Sequence, residues 1–378
     1  MSFTCPFCYQ EHDQNECPMK CSTVMRYGKC PEGVCTDADG WVDKKSYKKC
    51  MKCTKARKDF YCPVSLEKKD DFPFPMVVPM RCIATTGMPI ALVGAKASGK
   101  SNYIGVLVDQ IRKKMTLPFN CAIMMNCDPT SKSLYDDNYA RPLFKEKMQI
   151  TTTDGGKTPP MIFPIDFNNK HVVFTIYDTA GENFDSIESI ESYTDYLINA
   201  KAIIALIDPL QLDYIRERAE GIIPLPEKNR DATDIIDKII TVIENHTNNL
   251  KVFDKSLAIV FTKMDALERL NADDVLPANS CLRDDSVYSD RGVFVRSEFE
   301  TTQLAIADLR DTFLNDASSD LESKLRRFKQ VAYFGVSALG CIPNGDGTLG
   351  DGGVRPKRVL DPLLWILAEH GFIKTAKR

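Results

Sequence analysis

No run of apolar residues in this 378-residue chain approaches the length of a membrane span. The longest, such as AIIALI at 202–207, fall far short of the roughly 20 residues that cross a bilayer as a helix. The N-terminus, MSFTCPFCYQEHD, has neither the basic nor the apolar region of an export leader, so a cytoplasmic protein with no membrane partner is expected. An excess of positive charge is missing too. Lys and Arg number 49 against 52 Asp and Glu, a net −3, so no global field draws the molecule onto nucleic acid or anionic lipid. Any such attraction has to be local. Internal repeats and low-complexity tracts are also absent.

Cysteine, by contrast, is abundant and unevenly spread. Nine of the fourteen, Cys5, Cys8, Cys17, Cys21, Cys30, Cys35, Cys50, Cys53 and Cys62, fall within residues 5–62. Without an export signal, such clustering points to zinc and away from disulfides. Cys5-x-x-Cys8 and Cys50-x-x-Cys53 are two knuckles that together suit one ribbon or treble-clef site. Cys17, Cys21, Cys30 and Cys35 would complete a second, with Cys62 or His12 as a spare or replacement ligand. A segment this short and poor in apolar residues needs a metal to fold. The other five cysteines, Cys82, Cys121, Cys127, Cys281 and Cys341, read as small buried apolar residues.

The organisation along the chain follows from this change in texture. Residues 1–72 form the cysteine-rich zinc-binding domain, and 73–87, with the prolines of FPFPMVVP, an extended linker. From 88 onward short β-branched runs alternate with amphipathic stretches: PIALVG (89–94), VVFTIYD (172–178), AIIALID (202–208), SLAIVFT (256–262) and VAYFGVS (331–337). Helical patterns cover 101–115, 232–246 and 360–372, and MIFPIDF-NNK-HVVFTIY reads as an antiparallel hairpin at a sheet edge. The fold class is α/β, a three-layer sandwich around a mostly parallel sheet.

One loop in this domain carries chemistry. GAKASGKS (94–101) follows a strand and opens a helix, the context that makes GxxxxGKS a phosphate-binding loop. Gly94 and Gly99 let the backbone approach phosphate oxygens, Ala97, Ser98 and Asn102 lie along the same loop and first helical turn, Lys100 reaches the β- and γ-phosphates, and Ser101 ligates Mg²⁺. DTAGE (178–182) closes another strand, with Asp178 placed for Mg²⁺ and Gly181 for the γ-phosphate. TKMD (262–265) follows a third: Asp265 accepts both the N1–H and the 2-amino group of guanine, donors that adenine does not offer in that arrangement, while the Lys263 stem lies along the base. SAL (Ser337, Ala338, Leu339) follows the last strand and offers an amide to guanine O6.

In this order the four motifs resemble the Ras-like, translation-factor-related P-loop GTPases over residues 88–372. That resemblance implies a six-stranded sheet with one antiparallel edge strand, bound GTP or GDP with Mg²⁺, and two switch loops. Switch II would start at Gly181. Switch I requires a threonine ligand to Mg²⁺; Thr158 has the matching position, with Thr151, Thr152 and Thr153 as alternatives. The zinc module, enlarged switch region and DPLLW helix are also similar to the double-GTPase proteins of bacterial conflict operons, which implies a nucleotide-gated role towards partner proteins.

The departures from the pattern matter as much. Insertions are expected near 116–157 and 266–330, with ETTQLAIADLRDTFL (300–314) as the best amphipathic stretch of the second. Thr262 stands where Asn is usual, and its hydroxyl is expected to tie that strand end to the phosphate loop. Glu182 stands where many relatives carry the Gln that orients water, and Lys96 where small GTPases keep Gly; the two would flank the γ-phosphate as water-positioning group and built-in cation. Arg141 is a further candidate finger. If Glu182 marks lost hydrolysis, the chain is a GTP-gated binding module; a P-loop ATPase is the other alternative. The run KKSYKKCMKCTKARK (44–58), eight cations and no acid, reads either as a nucleic-acid patch with Tyr47 for stacking or as charge relief around anionic zinc-thiolate sites.

Overall fold

The computed structural model describes all residues except 1, 28, 31–32, 34–36, 38, 54–57, 68–75, 84–85, 151–159, 168–169, 177–193, 230, 247–251, 271–274, 287–291 and 377–378. Its centre is one seven-stranded sheet: β1 (Thr86–Gly94), β2 (Cys121–Ile123), β3 (Met161–Phe167), β4 (Lys170–Ile176), β5 (Ala202–Ile207), β6 (Phe253–Phe261) and β7 (Phe328–Gly335), in the spatial order β7-β6-β5-β1-β4-β3-β2. β4, β1, β5, β6 and β7 run parallel, and β3 is antiparallel to both its neighbours. Strand alternation sends successive side chains to opposite faces. Ala91 and Val93 join Ile203, Ala205 and Ile259 beneath the helix Asp231–His246, while Ile90 and Leu92 join Ile204, Leu206 and Val260 beneath the helices Lys100–Gln110 and Asp361–Glu369. With both faces covered, every residue of β5 is buried. Each such aliphatic side chain contributes about 1.5–3 kcal/mol.

Two expectations are corrected by this architecture. The sheet has seven strands where six were expected, because the first insertion donates β2 to the edge: Cys121, Ala122 and Ile123 pair with Phe167, Asp166 and Ile165. The segment expected as a free linker is partly folded. Val77–Val78 pairs with Tyr61 and Phe60 to complete a three-stranded sheet with Met19–Cys21, and Met76, Val78, Cys82 and Ile83 are buried with Ile162 and Val173 of the main sheet. Apolar residues between prolines thus find a core that the spacing alone does not reveal. The amphipathic stretch 300–314 spans parts of two helices, Arg296–Ala305 and Ala307–Asp316, broken at Ile306 (φ −99°, ψ 2°). The break buries Ile306, Leu309 and Phe313 and leaves Leu304 outside.

Among the described residues no helix is long and apolar enough to cross a membrane.

Candidate functional site

β1 ends at Gly94, and the loop that follows reaches the helix Lys100–Gln110 through two left-handed residues, Ala97 (φ 63°) and Gly99 (φ 86°). Such a path turns consecutive amides towards one concavity, which suits an anion. A Cβ at Gly94 would lie 2.5 Å from Ser98 Oγ and 3.2 Å from Leu206 Cβ, so the loop closes only around glycine. Ser98 Oγ is buried without a hydrogen-bond partner among the described residues, the kind of group that a ligand or ordered water satisfies.

The TKMD turn after β6 is built onto this loop. Thr262 Oγ1 donates to the Ser98 carbonyl at 2.8 Å. Lys263 (φ 54°) starts the turn Met264–Leu267, and its Nζ pairs with the buried Asp208 at the end of β5 at 2.7 Å, which holds the lysine stem in place. The Asp265 amide donates to Ser337 Oγ at 2.9 Å. Burial raises the Asp265 carboxyl above its ordinary value, against an opposing hydrogen bond from Ser337. Ser337 is itself fixed by reciprocal backbone bonds with Lys357 at 3.1 and 2.9 Å. Lys96 to Asn102, Thr262, Lys263, Asp265, Ala338 and Leu339 thereby line one cavity of about 510 Å³.

Asn102, which lines the cavity, uses its side-chain amide to clasp Ile150, donating to the carbonyl at 3.1 Å and accepting from the amide at 2.9 Å. Arg141 is paired with Asp137 on the helix Asp136–Glu146 and is not among the residues lining the cavity. Thr158, its alternatives Thr151 to Thr153, Asp178, Gly181 and Glu182 lie outside the described residues, as does Cys35.

Several lining residues escaped sequence reasoning. Gln149 and Ile150, Ile223 to Pro226, and Cys341 to Pro343 complete the wall. The glycines at 340, 347, 350 and 353, all at positive φ, fold the loop after SAL back onto 147–149, where Gln149 N–H bonds Gly347 O and Leu349 N–H bonds Lys147 O. Their density in GCIPNGDGTLGDGG was the available signal.

In the N-terminal module the structure gathers Cys5, Cys8, His12 and Cys62, with ligand atoms all within 4.8 Å of one another. A tetrahedral zinc with Zn–S bonds near 2.3 Å sets ligand atoms about 3.8 Å apart, so the group fits. Burial pushes the Cys5 thiol up, while S–H donors from Cys5 and Cys8 draw Cys62 down to about 3. The expected partnership of Cys5 and Cys8 with Cys50 and Cys53 is replaced: the second knuckle, on the helix Tyr47–Lys52, is outside this group, and Cys62 and His12 take its place. Tyr47 is not available to stack on bases, since its ring is buried and its hydroxyl donates to Gln14 O at 2.6 Å. Lys58 likewise spends its ammonium on the carbonyls of Met51 and Cys53.

A GxxxxGKS loop at the carboxyl end of a parallel strand, tied through Thr262 to the neighbouring strand end that carries Asp265, is the arrangement of a P-loop protein of the GTP-binding class. The Double-GTPase 2 family model matches residues 88–315, and the chain belongs to that family. Among curated proteins it is 24% identical over 299 residues, 75% of each chain, to a protein of Mycolicibacterium smegmatis described as "Putative ESX-1 scaffolding and assembly protein SaeC". Solved structures similar to it include the S. cerevisiae Ski7 GTPase-like domain bound to GTP (15% identity, TM-score 0.32, 76% of this chain) and the T. maritima FeoB G domain (10%, 0.30, 75% of this chain and 99% of that one). The chain spans 50% of the Ski7 chain.

Proposed function

We propose that this protein hydrolyses GTP to GDP with Mg²⁺ and uses the nucleotide state to govern partner proteins. The observation that carries the reading is the joining of Ser98, Thr262 and Asp265 around one cavity, with Ser337 bonded to the Asp265 amide. Loop amides and Lys100 hold the β- and γ-phosphates; Ser101, Thr158 and Asp178 hold Mg²⁺, which neutralises charge on the transferred group. Gly181 senses the γ-phosphate, and Glu182 positions the attacking water opposite Lys96. Zinc at Cys5, Cys8, His12 and Cys62 fixes the N-terminal module. The SaeC likeness favours protein partners, in a cytoplasmic assembly or defence system. Burial of Tyr47 and the engagement of Lys58 count against nucleic acid.

Single-turnover GTP hydrolysis tests this reading. Lys96→Ala and Glu182→Gln are each expected to slow the step, with a double mutant no worse than the poorer single, as for groups acting together. Tight GTP binding with no turnover, alone or with partners, would leave the GTP-gated binding module as the better account.

A further inference from the structure

The second cysteine of the first knuckle is followed by Tyr9, and Tyr9 does not belong to the module that carries it. Phe3, Phe7 and the cysteines form the module's own core, whereas Tyr9, 2% exposed, is buried with Ala91, Val93, Ala95, Tyr196 and Leu197 of the nucleotide domain. The knuckle is closed by Tyr9 N–H to Cys5 O and Cys5 N–H to Gln10 O, both at 2.9 Å. Its backbone is left-handed at Tyr9, φ 60°. A residue with a Cβ pays about 1–2 kcal/mol there, and glycine would not. Holding a tyrosine in that conformation is explained by where its side chain goes.

It reaches two places. The hydroxyl donates to Thr175 O at 3.2 Å, near the end of β4, three residues before Asp178. The ring lies 5.1 Å from that of Tyr196, on the helix Thr194–Asn199, the next described element after DTAGE and the following stretch. Tyr196 in turn accepts the Leu92 N–H at 2.5 Å, two residues before Gly94. Among the described residues β1 and β4 pair from Thr86 to Pro89, and beyond that stretch the Tyr196 hydroxyl takes the Leu92 N–H. One side chain of the metal knuckle thus touches both flanks of the DTAGE segment and, through one further residue, the strand feeding the phosphate loop.

We propose that Tyr9 couples the Cys5–Cys8–His12–Cys62 metal knuckle to the nucleotide switch, so that metal retention depends on which nucleotide is bound. The inference rests on the switch reading above. Because coupling between two binding sites is reciprocal, whatever metal does to nucleotide affinity, nucleotide does to metal affinity by the same factor. Tyr9 is a positioning residue in this scheme: it touches neither nucleotide nor metal.

The test measures zinc affinity by chelator competition on the full chain, loaded with GDP or with a non-hydrolysable GTP analogue. The two forms are expected to differ by roughly fivefold or more. Tyr9→Phe keeps the ring, the knuckle and every metal ligand but loses the bond to Thr175, and is expected to bring the ratio most of the way to one at unchanged zinc content. A ratio of one in the wild type with both nucleotides demonstrably bound overturns the coupling alone. An unchanged ratio in Tyr9→Phe, or a chain that binds no zinc, overturns it as well. Failure of both nucleotides to bind would overturn the switch reading first.

Discussion

Thr262 Oγ1 donates to the Ser98 carbonyl at 2.8 Å, joining the end of β6 to the GAKASGKS loop. Thr262 stands where the family pattern has Asn, and a hydroxyl performs the tie. Thr262→Val keeps the shape and removes the donor, leaving the Ser98 carbonyl short of a partner. Such a loss costs about 1–3 kcal/mol, so GDP dissociation should be at least several-fold faster, read by fluorescent-nucleotide release with the fold unchanged by circular dichroism.

Gly94→Ala probes the phosphate loop. Its methyl would meet Ser98 Oγ at 2.5 Å and stand 3.3 Å from the Leu206 carbonyl, a backbone atom of β5 that cannot swing away. The loop must deform. Nucleotide affinity is expected to fall by about tenfold or more, the equivalent of roughly 1.4 kcal/mol, measured by calorimetric titration with GDP.

Asp265 sets a pH dependence. Guanine needs the carboxylate ionised, and burial raises its pKa. Affinity is therefore complete above that raised pKa and lost as pH falls through it, beginning above the ordinary carboxylate value of about 4. GDP titrations from neutral to acidic pH should show this decline, and Asp265→Asn, which does not titrate, should show a weaker but flatter profile.

The metal knuckle sets another. Zinc needs thiolates and a neutral imidazole, and hydrogen bonds from Cys5 and Cys8 lower the Cys62 thiol, which favours it as the first thiolate. Loading should release protons from Cys5 and Cys8 and reverse as the medium is acidified. Cys62→Ser should lower zinc content in metal analysis and reduce the melting temperature of the N-terminal module.

How far the sequence foretold this arrangement depends on the range of each interaction. β1, β5 and β6 were legible because each is an apolar run closed by turn residues and buried on both faces, and Ala202–Ile207 matched its expected bounds to within a residue. β2 was not, since CAI is too short to show a period and is a strand only because Phe167 lies beside it. The tie from Thr262 to the GAKASGKS loop and the nearness of Ser337 to Asp265 followed from motif order. The metal partners were less visible: CxxC marks Cys5 and Cys8, but the chain path alone brings Cys62 alongside them, where Cys50 and Cys53 had looked equally suitable. Tyr9 gave no signal at all, because a positive φ and a side chain buried in another layer are properties of the folded chain.

The central claim is that Asp265 makes this a guanine-nucleotide protein. Competition for the bound fluorescent nucleotide by GDP and ADP at equal concentration, repeated with xanthosine diphosphate on Asp265→Asn, tests it most directly. The account predicts displacement by GDP and not ADP in the wild type, and a swing towards xanthine in the variant, whose amide can donate to the 2-oxo group. Equal displacement by ADP, or a variant that keeps its guanine preference, would contradict it.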